Sequence, residues 1–284
     1  MSDIILGLDV GTTAVKASLF SLDGSVRITE SRGYPLLSPQ AGQHVQKPDA
    51  IAAAVLAAMR EAVAQVDAGR VGGISISTAM HGLMGLDADL RPVTDLLTWA
   101  DSRATEEADE ISWGAAGDRL HRMSGTPVHP MAPLAKLRWY AKNDPHLVKH
   151  TPHWVGLKDW VVAVLSGRVV TELSCASGTG MADLAERAWN PEALDITGVR
   201  LDQLPPIRDT TDTVPLAEAA AAEIGLTAGL PIVLGAGDGP LGNLGTGAMS
   251  TGVAGLSIGT SGAVRMVVKS PAVAPGLFCY ALTR

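Results

Sequence analysis

The sequence predicts an α/β protein, and three features of the chain support this prediction. Short apolar runs alternate with turn residues near the N-terminus, a long helical pattern follows, and a glycine-led apolar strand comes directly after it. The chain has 284 residues, 46% hydrophobic and 18% charged, which is enough apolar side chain for a sizeable core. Strands that alternate with helices in this way are typical of layered α/β domains.

The predicted elements follow from local patterns in chain order. Strands at 4–8, 15–22 and 26–32 form an antiparallel meander, with turns at Gly11-Thr12 and at Asp23-Gly24, a strong hairpin signal. Pro48 opens a helical pattern that ends near Gly69, and a buried strand is predicted at 72–77. Further helices are predicted at 104–112, 134–142, 154–165 and 216–224, and a strand at 230–234 leads to Gly237-Asp238-Gly239.

Charge and cysteine content restrict the partners and the compartment. The net charge is −7 and no Lys/Arg cluster occurs, which argues against nucleic acid or an anionic membrane and favours a small soluble partner. The two cysteines, Cys175 and Cys279, lie far apart and match no metal spacing, so a reducing compartment, the cytoplasm, is predicted. Neither a signal peptide nor an apolar run of about 20 residues is found, so no membrane is predicted. A homodimer is left open.

An internal repeat links the two ends of the chain. Residues 7–13 (GLDVGTT) align without gaps to 255–261 (GLSIGTS), and a cation follows each copy, Lys16 and Arg265. The match is either an accident of a glycine-rich chain or the mark of two similar domains that each contribute a phosphate-binding hairpin. Only about 25 residues follow the second turn, too few to complete a domain. We therefore predict one lobe at 1–248 and the start of a second at 249–284. Because 277–283 resembles the middle of a strand, we expect the reading frame to continue past Arg284.

Five segments together resemble the FGGY carbohydrate kinases. They are LDVGTT at 8–13, MAPLAKLRW at 131–139, SCASGTG at 174–180, GDG at 237–239 and IGTSG at 258–262. The resemblance implies the actin-like ATPase (ribonuclease H-like) fold, in which two similar α/β lobes are hinged around a cleft for nucleotide and sugar. This chain would be the N-terminal lobe plus the first strands of the second. The implied ligands are ATP, Mg²⁺ and a sugar or aldonate.

Within that family three further segments are most similar to gluconate kinases. They are TAMHG at 78–82, TWADSR at 98–103 and GTPVHPM at 125–131; Met-His-Gly alone is equally typical of xylulose kinases. The implied reaction is phosphorylation of gluconate to 6-phosphogluconate by ATP. Two alternatives stay open: another FGGY sugar kinase, xylulose kinase first, and a non-catalytic sugar-binding fragment without the adenosine site. Tyr140 and Glu172 depart mildly from the family pattern.

The two hairpins are the candidate phosphate and metal sites. Asp9 could hold Mg²⁺ directly or through water, Gly11 lets backbone N–H groups approach a phosphate, and Thr12 and Thr13 add hydroxyl donors. The alternative is a plain hairpin with a capping aspartate. By the resemblance, the nucleotide also contacts Lys16 and a second cradle, Gly259, Thr260 and Ser261. Ser257 takes the place of Asp9 in the repeat, which suits a site with one metal ion.

Asp238 is the candidate catalytic residue and also a substrate contact. It lies between two glycines after an apolar strand, so its carboxylate can stand free in a cleft and accept the proton of a sugar hydroxyl. Its alternative is an aspartate in a glycine-rich turn. Its position some twenty residues before the second phosphate turn matches the family.

The remaining substrate candidates are Met80, His81, Asp101, Arg103 and His129. His81 and His129 could hydrogen-bond hydroxyls or a carboxylate, and a structural role is the alternative for either. Asp101 and Arg103 would face one side of an extended segment, or form a salt bridge at a helix start. Because gluconate is an anion, His81, Arg103 and His129 are the donors available for it. Lys136, Ser174, Ser177 and Thr179 are interpreted as structural.

Overall fold

A computed structural model describes residues 2–258 and 262–282 of the chain. Its strands are β1 (Ile4–Val10), β2 (Ala14–Ser21), β3 (Val26–Gly33), β4 (Val45–Gln46), β5 (Val71–Thr78), β6 (Met84–Leu86), β7 (Leu96–Leu97), β8 (His153–Val155), β9 (Thr171–Glu172), β10 (Ala182–Asp183), β11 (Ala188–Trp189), β12 (Ile207–Arg208), β13 (Thr213–Pro215), β14 (Pro231–Gly237), β15 (Ala254–Ile258) and β16 (Gly262–Met266). Its helices are α1 (Pro48–Val63), α2 (Thr105–Trp113), α3 (Gly117–Ser124), α4 (Pro133–Asn143), α5 (Pro145–His150), α6 (Leu157–Ser166), α7 (Leu173–Ser177), α8 (Pro191–Thr197), α9 (Glu218–Ile224) and α10 (Asp238–Gly245). Within the described ranges, no helix combines the length and the apolar character needed to cross a membrane.

The central sheet has the strand order β13-β14-β5-β1-β2-β3. The meander β1-β2-β3 is antiparallel as predicted, whereas β5 pairs parallel to β1 and β14 pairs parallel to β5. Val10 therefore lies beside Thr78, and Thr78 beside Gly237. The carboxyl ends of three parallel strands meet at one edge of the sheet.

Two apolar clusters support this edge. In the first, α1, α6 and α9 pack with the sheet; Ile51, Val55 and Met59 of α1 are fully buried. Their spacing of four residues is the apolar stripe of a helix that lies on a sheet. In the second, α4 packs Leu137 and Tyr140 with Trp154 of β8. This second cluster holds the loops that follow β5 and β7.

Some boundaries differ from the prediction. The helix predicted from Trp154 begins at Leu157, because residues 153–155 form β8, which pairs antiparallel with β6. The strand predicted at 277–283 is wrong for the described residues 277–282. There the Cys279 N–H donates to the carbonyl of Gly125, 2.8 Å away, so the segment bonds to a loop instead of a sheet. Thr283 and Arg284 lie outside the described residues.

The two strands on either side of the turn in the second copy of the repeat form the predicted hairpin. β15 pairs antiparallel with β16, and Gly255 lies opposite Arg265. The turn itself, with Gly259, Thr260 and Ser261, lies outside the described residues. The division into lobes at residue 248 stays a prediction.

Candidate active site

The candidate site is formed by the residues that directly follow β1, β5 and β14. These are the turn 11–13, the loop 79–82 and the start of α10, which the parallel pairing places side by side. In open α/β sheets, ligands bind outside the carboxyl ends of parallel strands. The topology therefore brings together Asp9, His81 and Asp238, which are far apart in the sequence.

The first phosphate hairpin is fixed from its carbonyl side. The Tyr34 hydroxyl donates to the carbonyl of Gly11 at 2.6 Å, and the Gln46 amide donates to the carbonyl of Thr12 at 2.5 Å. The Tyr34 N–H donates to the carbonyl of Thr13 at 3.0 Å. With these carbonyls bound by the protein, the turn is held in one conformation that can present donors to a ligand.

Asp9 and Lys16 are neighbours on the first hairpin. They lie directly opposite each other in the β1-β2 ladder, and both are exposed. Within the described part of the chain, no group of three or more His, Cys, Asp and Glu side chains could hold a metal ion. A kinase Mg²⁺ takes most of its ligands from phosphates and water, so a single exposed carboxylate fits this ion.

Asp238 is the first residue of α10. Its Oδ1 accepts the N–H of Gly239 at 2.8 Å. The residue is solvent-exposed, yet the protein around its carboxyl group removes water and raises its pKa. The charge of Asp9 also raises this pKa, while Arg265 and Lys158 act in the opposite direction. Asp9 near the end of β1 and Asp238 after β14 therefore lie at the same edge of the sheet, close enough for the charge of one to act on the other.

A bulge in β14 precedes Asp238. The β14-β5 register shifts between Val233 and Ala236. Gly235 has a φ of +67°, and a Cβ at this position would lie 1.9 Å from the carbonyl oxygen of Ile76, so only glycine fits. The bulge takes carbonyl groups out of the regular ladder.

Lys158 supplies the missing donors at this bulge. It lies fully inside the protein on α6, and its Nζ donates to the carbonyls of Ile76, Leu234 and Ala236 at 2.9, 3.0 and 2.7 Å. Our sequence reasoning did not single out this lysine. The available signal was a cation inside the apolar run 154–165.

Glu172 and Ser174 connect α7 to the end of β14. The fully buried Glu172 carboxylate accepts the Ser174 N–H at 2.7 Å, the Ser174 hydroxyl at 2.9 Å and the Cys175 N–H at 3.1 Å. Its Oε1 is 3.9 Å from Lys158 Nζ. The Ser174 Oγ in turn accepts the N–H of Gly237 at 2.9 Å.

The candidate sugar loop contains His81 in a left-handed conformation, with a φ of 63°. Its Nδ1 is 2.8 Å from the carbonyl oxygen of Gly178, which can only accept; Nδ1 therefore carries the proton and Nε2 is an acceptor. Burial lowers the pKa of His81 to about 4, so the ring is neutral at neutral pH. The Tyr280 hydroxyl lies 3.4 Å from Nε2.

Met80 packs against two glycines beside the loop. A Cβ on Gly237 would lie 2.5 Å from Met80 Cγ, and one on Gly178 would lie 2.9 Å from its Cε. At Gly237 a Cβ would therefore displace the middle of the Met80 side chain, whereas at Gly178 only its flexible terminal methyl group would have to move. Met80 also lines one pocket with Thr12 and Trp99, which joins the phosphate hairpin to the sugar loop.

Lys136 fixes the backbone of the candidate sugar loop. It is fully buried on α4, and its Nζ donates to the carbonyls of His81 and Thr98, both at 2.7 Å. Burial lowers the pKa of Lys136 to about 7. These contacts agree with the structural role predicted for it.

Asp101 and Arg103 form the salt bridge that was one of their two interpretations. Arg103 Nε and Nη2 each donate to an oxygen of Asp101 at 2.8 Å, just before α2 begins. Asp101 also accepts the His44 N–H at 2.9 Å, and its side chain has no exposed surface. Asp101 is therefore closed to solvent and holds Arg103, and its contact with a substrate stays a prediction. The Arg103 guanidinium lies over the Trp139 ring, 5.1 Å from its centre.

His129 is exposed, and its Nδ1 accepts the N–H of Met131 at 3.2 Å. Partial burial lowers its pKa, as does the charge of Lys136. A positive charge on His129 would also lower the pKa of His81, because the two rings lie near each other. Of the three residues expected to meet an anion, His81 is thus neutral at neutral pH, the pKa of His129 is lowered, and the charge of Arg103 is paired with Asp101.

Two residues near the site were not predicted as ligand contacts. The Trp99 indole N–H donates to Thr12 Oγ1 at 2.9 Å, although the ring is about half exposed, at 45%. Arg265 of β16 lies against the start of α10: a Cβ on Gly239 would be 3.1 Å from its Nε. The position of Trp99 inside the TWADSR segment and the repeat position of Arg265 were the signals for them.

Comparison with known proteins identifies relatives of the whole described fold. The family description "FGGY family of carbohydrate kinases, N-terminal domain" matches residues 4–245. The chain is 37% identical to a gluconokinase of Bacillus subtilis (strain 168), in a match that covers 100% of this chain and 56% of that protein. A gluconate kinase structure from Lactobacillus acidophilus superimposes with a TM-score of 0.94 at 34% identity, covering 99% of this chain and 58% of that one.

A ligand-bound xylulose kinase structure from the same organism is equally similar. It superimposes with a TM-score of 0.94 at 34% identity, covering 98% of this chain and 57% of that one. The chain thus spans roughly half the length of the proteins it matches. The matches confirm the predicted α/β, actin-like ATPase fold.

Proposed function

Because the chain belongs to the FGGY family of carbohydrate kinases, we propose that the protein transfers the γ-phosphate of ATP to a hydroxyl of gluconate, giving 6-phosphogluconate. Identity to a gluconokinase over the whole chain supports this substrate. The structural observation that carries the proposal is the placement of two carboxylates at one edge of the sheet, Asp9 near the end of β1 and Asp238 after β14, where the charge of Asp9 raises the pKa of Asp238. Phosphoryl transfer to an alcohol needs one anionic group for the metal and phosphates and another for the acceptor hydroxyl.

Asp238 is the proposed general base. Its raised pKa makes it a stronger base than a free aspartate. Its fixed position at the first turn of α10 would orient the acceptor hydroxyl and take its proton as the phosphate arrives. A positioned base of this kind contributes roughly 10²–10⁴ in rate.

Asp9 is the proposed metal residue, and the first hairpin is the proposed phosphate site. Gly11, Thr12, Thr13 and Lys16 would contact the phosphates of ATP, and the family resemblance adds Gly259, Thr260 and Ser261 to this set. Bound Mg²⁺ neutralises phosphate charge during transfer. The fixed carbonyls of the first hairpin support this role, because a turn that is already ordered loses little entropy when it binds.

His81 is the proposed acceptor for a sugar hydroxyl, through its unprotonated Nε2. Met80, Arg103 and His129 are the proposed walls of the same sugar site, and Asp101 is proposed to act only by holding Arg103. A second candidate substrate is xylulose. It is favoured by the match to a xylulose kinase structure, by the neutral ring of His81 and by the pairing of the Arg103 charge with Asp101.

We further propose that the protein acts in the cytoplasm on small molecules. Both cysteines are free thiols, which suits a reducing compartment. The net charge of −7 supports the proposal that nucleic acids and anionic membranes are not partners.

The test is an ADP-release assay on the longest product of the reading frame that contains these 284 residues. Gluconate, xylulose, glycerol and ribulose are compared at equal concentration. Turnover with gluconate is expected, and turnover with xylulose alone would replace the proposed substrate. Asp238→Asn is expected to remove nearly all turnover while calorimetry still detects gluconate binding.

The matched control is Asp118→Asn, an exposed aspartate on α3 whose side chain is 90% accessible. This variant should keep the rate of the unmodified protein. A normal rate in Asp238→Asn would rule out the proposed base. The 284-residue chain, assayed alone, decides the fragment alternative: gluconate binding without turnover would support a sugar-binding lobe that depends on the rest of its protein.

A further inference from the structure

We propose that Ser174 is a positioning residue for Asp238, and that with Glu172 it fixes the end of β14 from which the Asp238 carboxylate projects. This inference rests on the proposed function, because that function assigns Asp238 to the acceptor hydroxyl. It concerns a residue whose side chain is fully buried and does not touch the substrate site.

The hydroxyl of Ser174 makes two hydrogen bonds of defined direction. A carboxylate can only accept, so the single hydroxyl proton points to Glu172 Oε1, 2.9 Å away. A lone pair of Oγ is then left for the Gly237 N–H, 2.9 Å away on the other side. The Glu172 carboxylate thus orients the Ser174 hydroxyl so that its oxygen can accept the Gly237 N–H, directly before Asp238.

Glu172 is itself held too firmly to adjust. Two backbone N–H groups of α7 and the Ser174 hydroxyl donate to its carboxylate, and the Lys158 ammonium lies 3.9 Å away. Lys158 also binds the three carbonyls around the β14 bulge. One fully buried group of side chains, Lys158, Glu172 and Ser174, therefore contacts β14 both before and at Gly237.

Gly237 needs such a bond because it has no side chain to pack. Met80 occupies the space where its Cβ would lie, at 2.5 Å. The Gly237 N–H is therefore the group through which α7 fixes this residue. Among the residues that the structure describes, the charged and titratable groups around Asp238 are Asp9 on β1, Lys158 on α6, Arg265 on β16 and Tyr280, so a rotation of the carboxylate changes its distance to each of them.

The kinetic test compares Ser174→Ala with Ser166→Ala. Ser166 is a matched control on α6: it is buried, its hydroxyl donates to the carbonyl of Val162 at 2.7 Å, and it accepts the N–H of Arg168 at 3.2 Å. Ser174→Ala is expected to lower kcat about 10²-fold, the effect of a misplaced reacting group, with KM for gluconate changed less than about threefold. Ser166→Ala should keep the kcat of the unmodified protein.

A second readout does not need turnover. Aspartate labelled with ¹³C at the side-chain carboxyl gives a titration curve for each residue by NMR, and Asp238→Asn identifies the signal of Asp238. Because loss of water raises the pKa of Asp238, release of β14 in Ser174→Ala should lower its titration midpoint, whereas Ser166→Ala should not. Ser174→Cys keeps the shape but weakens the acceptor, so it should fold and give an intermediate midpoint.

The two proposals can fail separately. Absence of turnover with every sugar would refute the proposed function, while the NMR midpoints would still decide the role of Ser174. If kcat and the Asp238 midpoint in Ser174→Ala both equal those in Ser166→Ala, Ser174 does not position Asp238. Circular dichroism and melting temperatures of each variant show that the comparison is made between folded proteins.

Discussion

Replacing Lys158 by methionine is expected to destabilise the fold by about 3–5 kcal/mol, the usual loss when a buried charge network is broken by removing one partner. Lys158 is 1% exposed, and its Nζ is the donor for three carbonyls at the β14 bulge. Methionine has nearly the same length and fills the space, but it donates nothing. The substitution therefore isolates the hydrogen bonds from the packing.

The magnitude follows from the geometry. Hydrogen bonds to a charged group contribute about 1.5–3 kcal/mol each, so three of them give roughly 5–9 kcal/mol before the cost of burying the ammonium, several kcal/mol, is subtracted. Glu172, 3.9 Å away, also loses its nearby positive charge. For a protein of this size, the expected net loss corresponds to a decrease in melting temperature of about 10 °C.

The assay is urea unfolding followed by circular dichroism, with Lys142→Met as the control. Lys142 is a partly exposed lysine on α4 whose Nζ pairs with the exposed Glu110 and lies 3.6 Å from the buried Glu107; the exposed pair contributes less than about 1 kcal/mol, and no buried carbonyl in the described part of the chain depends on this lysine. A loss in Lys158→Met no larger than in Lys142→Met would show that the bulge carbonyls do not depend on Lys158, and the reasoning would be refuted.

Three further substitutions are expected to have measurable effects. Burial raises the pKa of Asp159 to about 6, so between about pH 4 and pH 6 the native state holds a proton that the unfolded chain has released. The free energy of unfolding therefore falls as pH rises through this window. Asp159→Asn should flatten this pH dependence, as measured by urea unfolding. His81→Asn keeps a residue type that tolerates a positive φ but removes the Nε2 acceptor, so calorimetry should show about tenfold weaker gluconate binding, and unchanged affinity would exclude His81 from the site. Gly235→Ala, with its Cβ 1.9 Å from the Ile76 oxygen, should lose more than about 3 kcal/mol of stability, whereas Gly167→Ala, at a similar φ with open space around it, should lose about 1 kcal/mol.

The predictable part of the fold is the part encoded by neighbouring residues. In β1 and β2 the alternation of buried and exposed side chains has a period of two, and Asp23-Gly24 marks the hairpin, with Gly24 at a φ of +83°. The stripe of α1 is similarly local. Asp9 and Asp238 could be placed in one site only through the family resemblance; the parallel pairing of β1, β5 and β14, which brings them to a common edge, is not local.

The buried lysines and the Asp101 ion pair could not be placed in this way. A lysine on an apolar helix is ordinarily at the surface. Lys158 is buried because the β14 bulge takes carbonyl groups out of the ladder, and that bulge exists only in the pairing with β5. Two of the carbonyls that Lys158 binds, those of Ile76 and Leu234, are 82 and 76 residues away from it in the sequence. Trp154 was assigned to a helix for a related reason, since its pairing with β6 is equally non-local.

The protonation state of His81 shows how far the chemistry of the site depends on such distant contacts. A histidine that met an anion as a cation could only donate, whereas this neutral ring has a donor at Nδ1 and an acceptor at Nε2. Burial keeps the ring neutral, and the carbonyl of Gly178, 97 residues away in sequence, selects which nitrogen carries the proton. Hydroxyl groups of a sugar need acceptors as well as donors. The capacity of this loop to bind a sugar therefore depends on the packing of α7 against the loop after β5, which the Met-His-Gly motif alone does not specify.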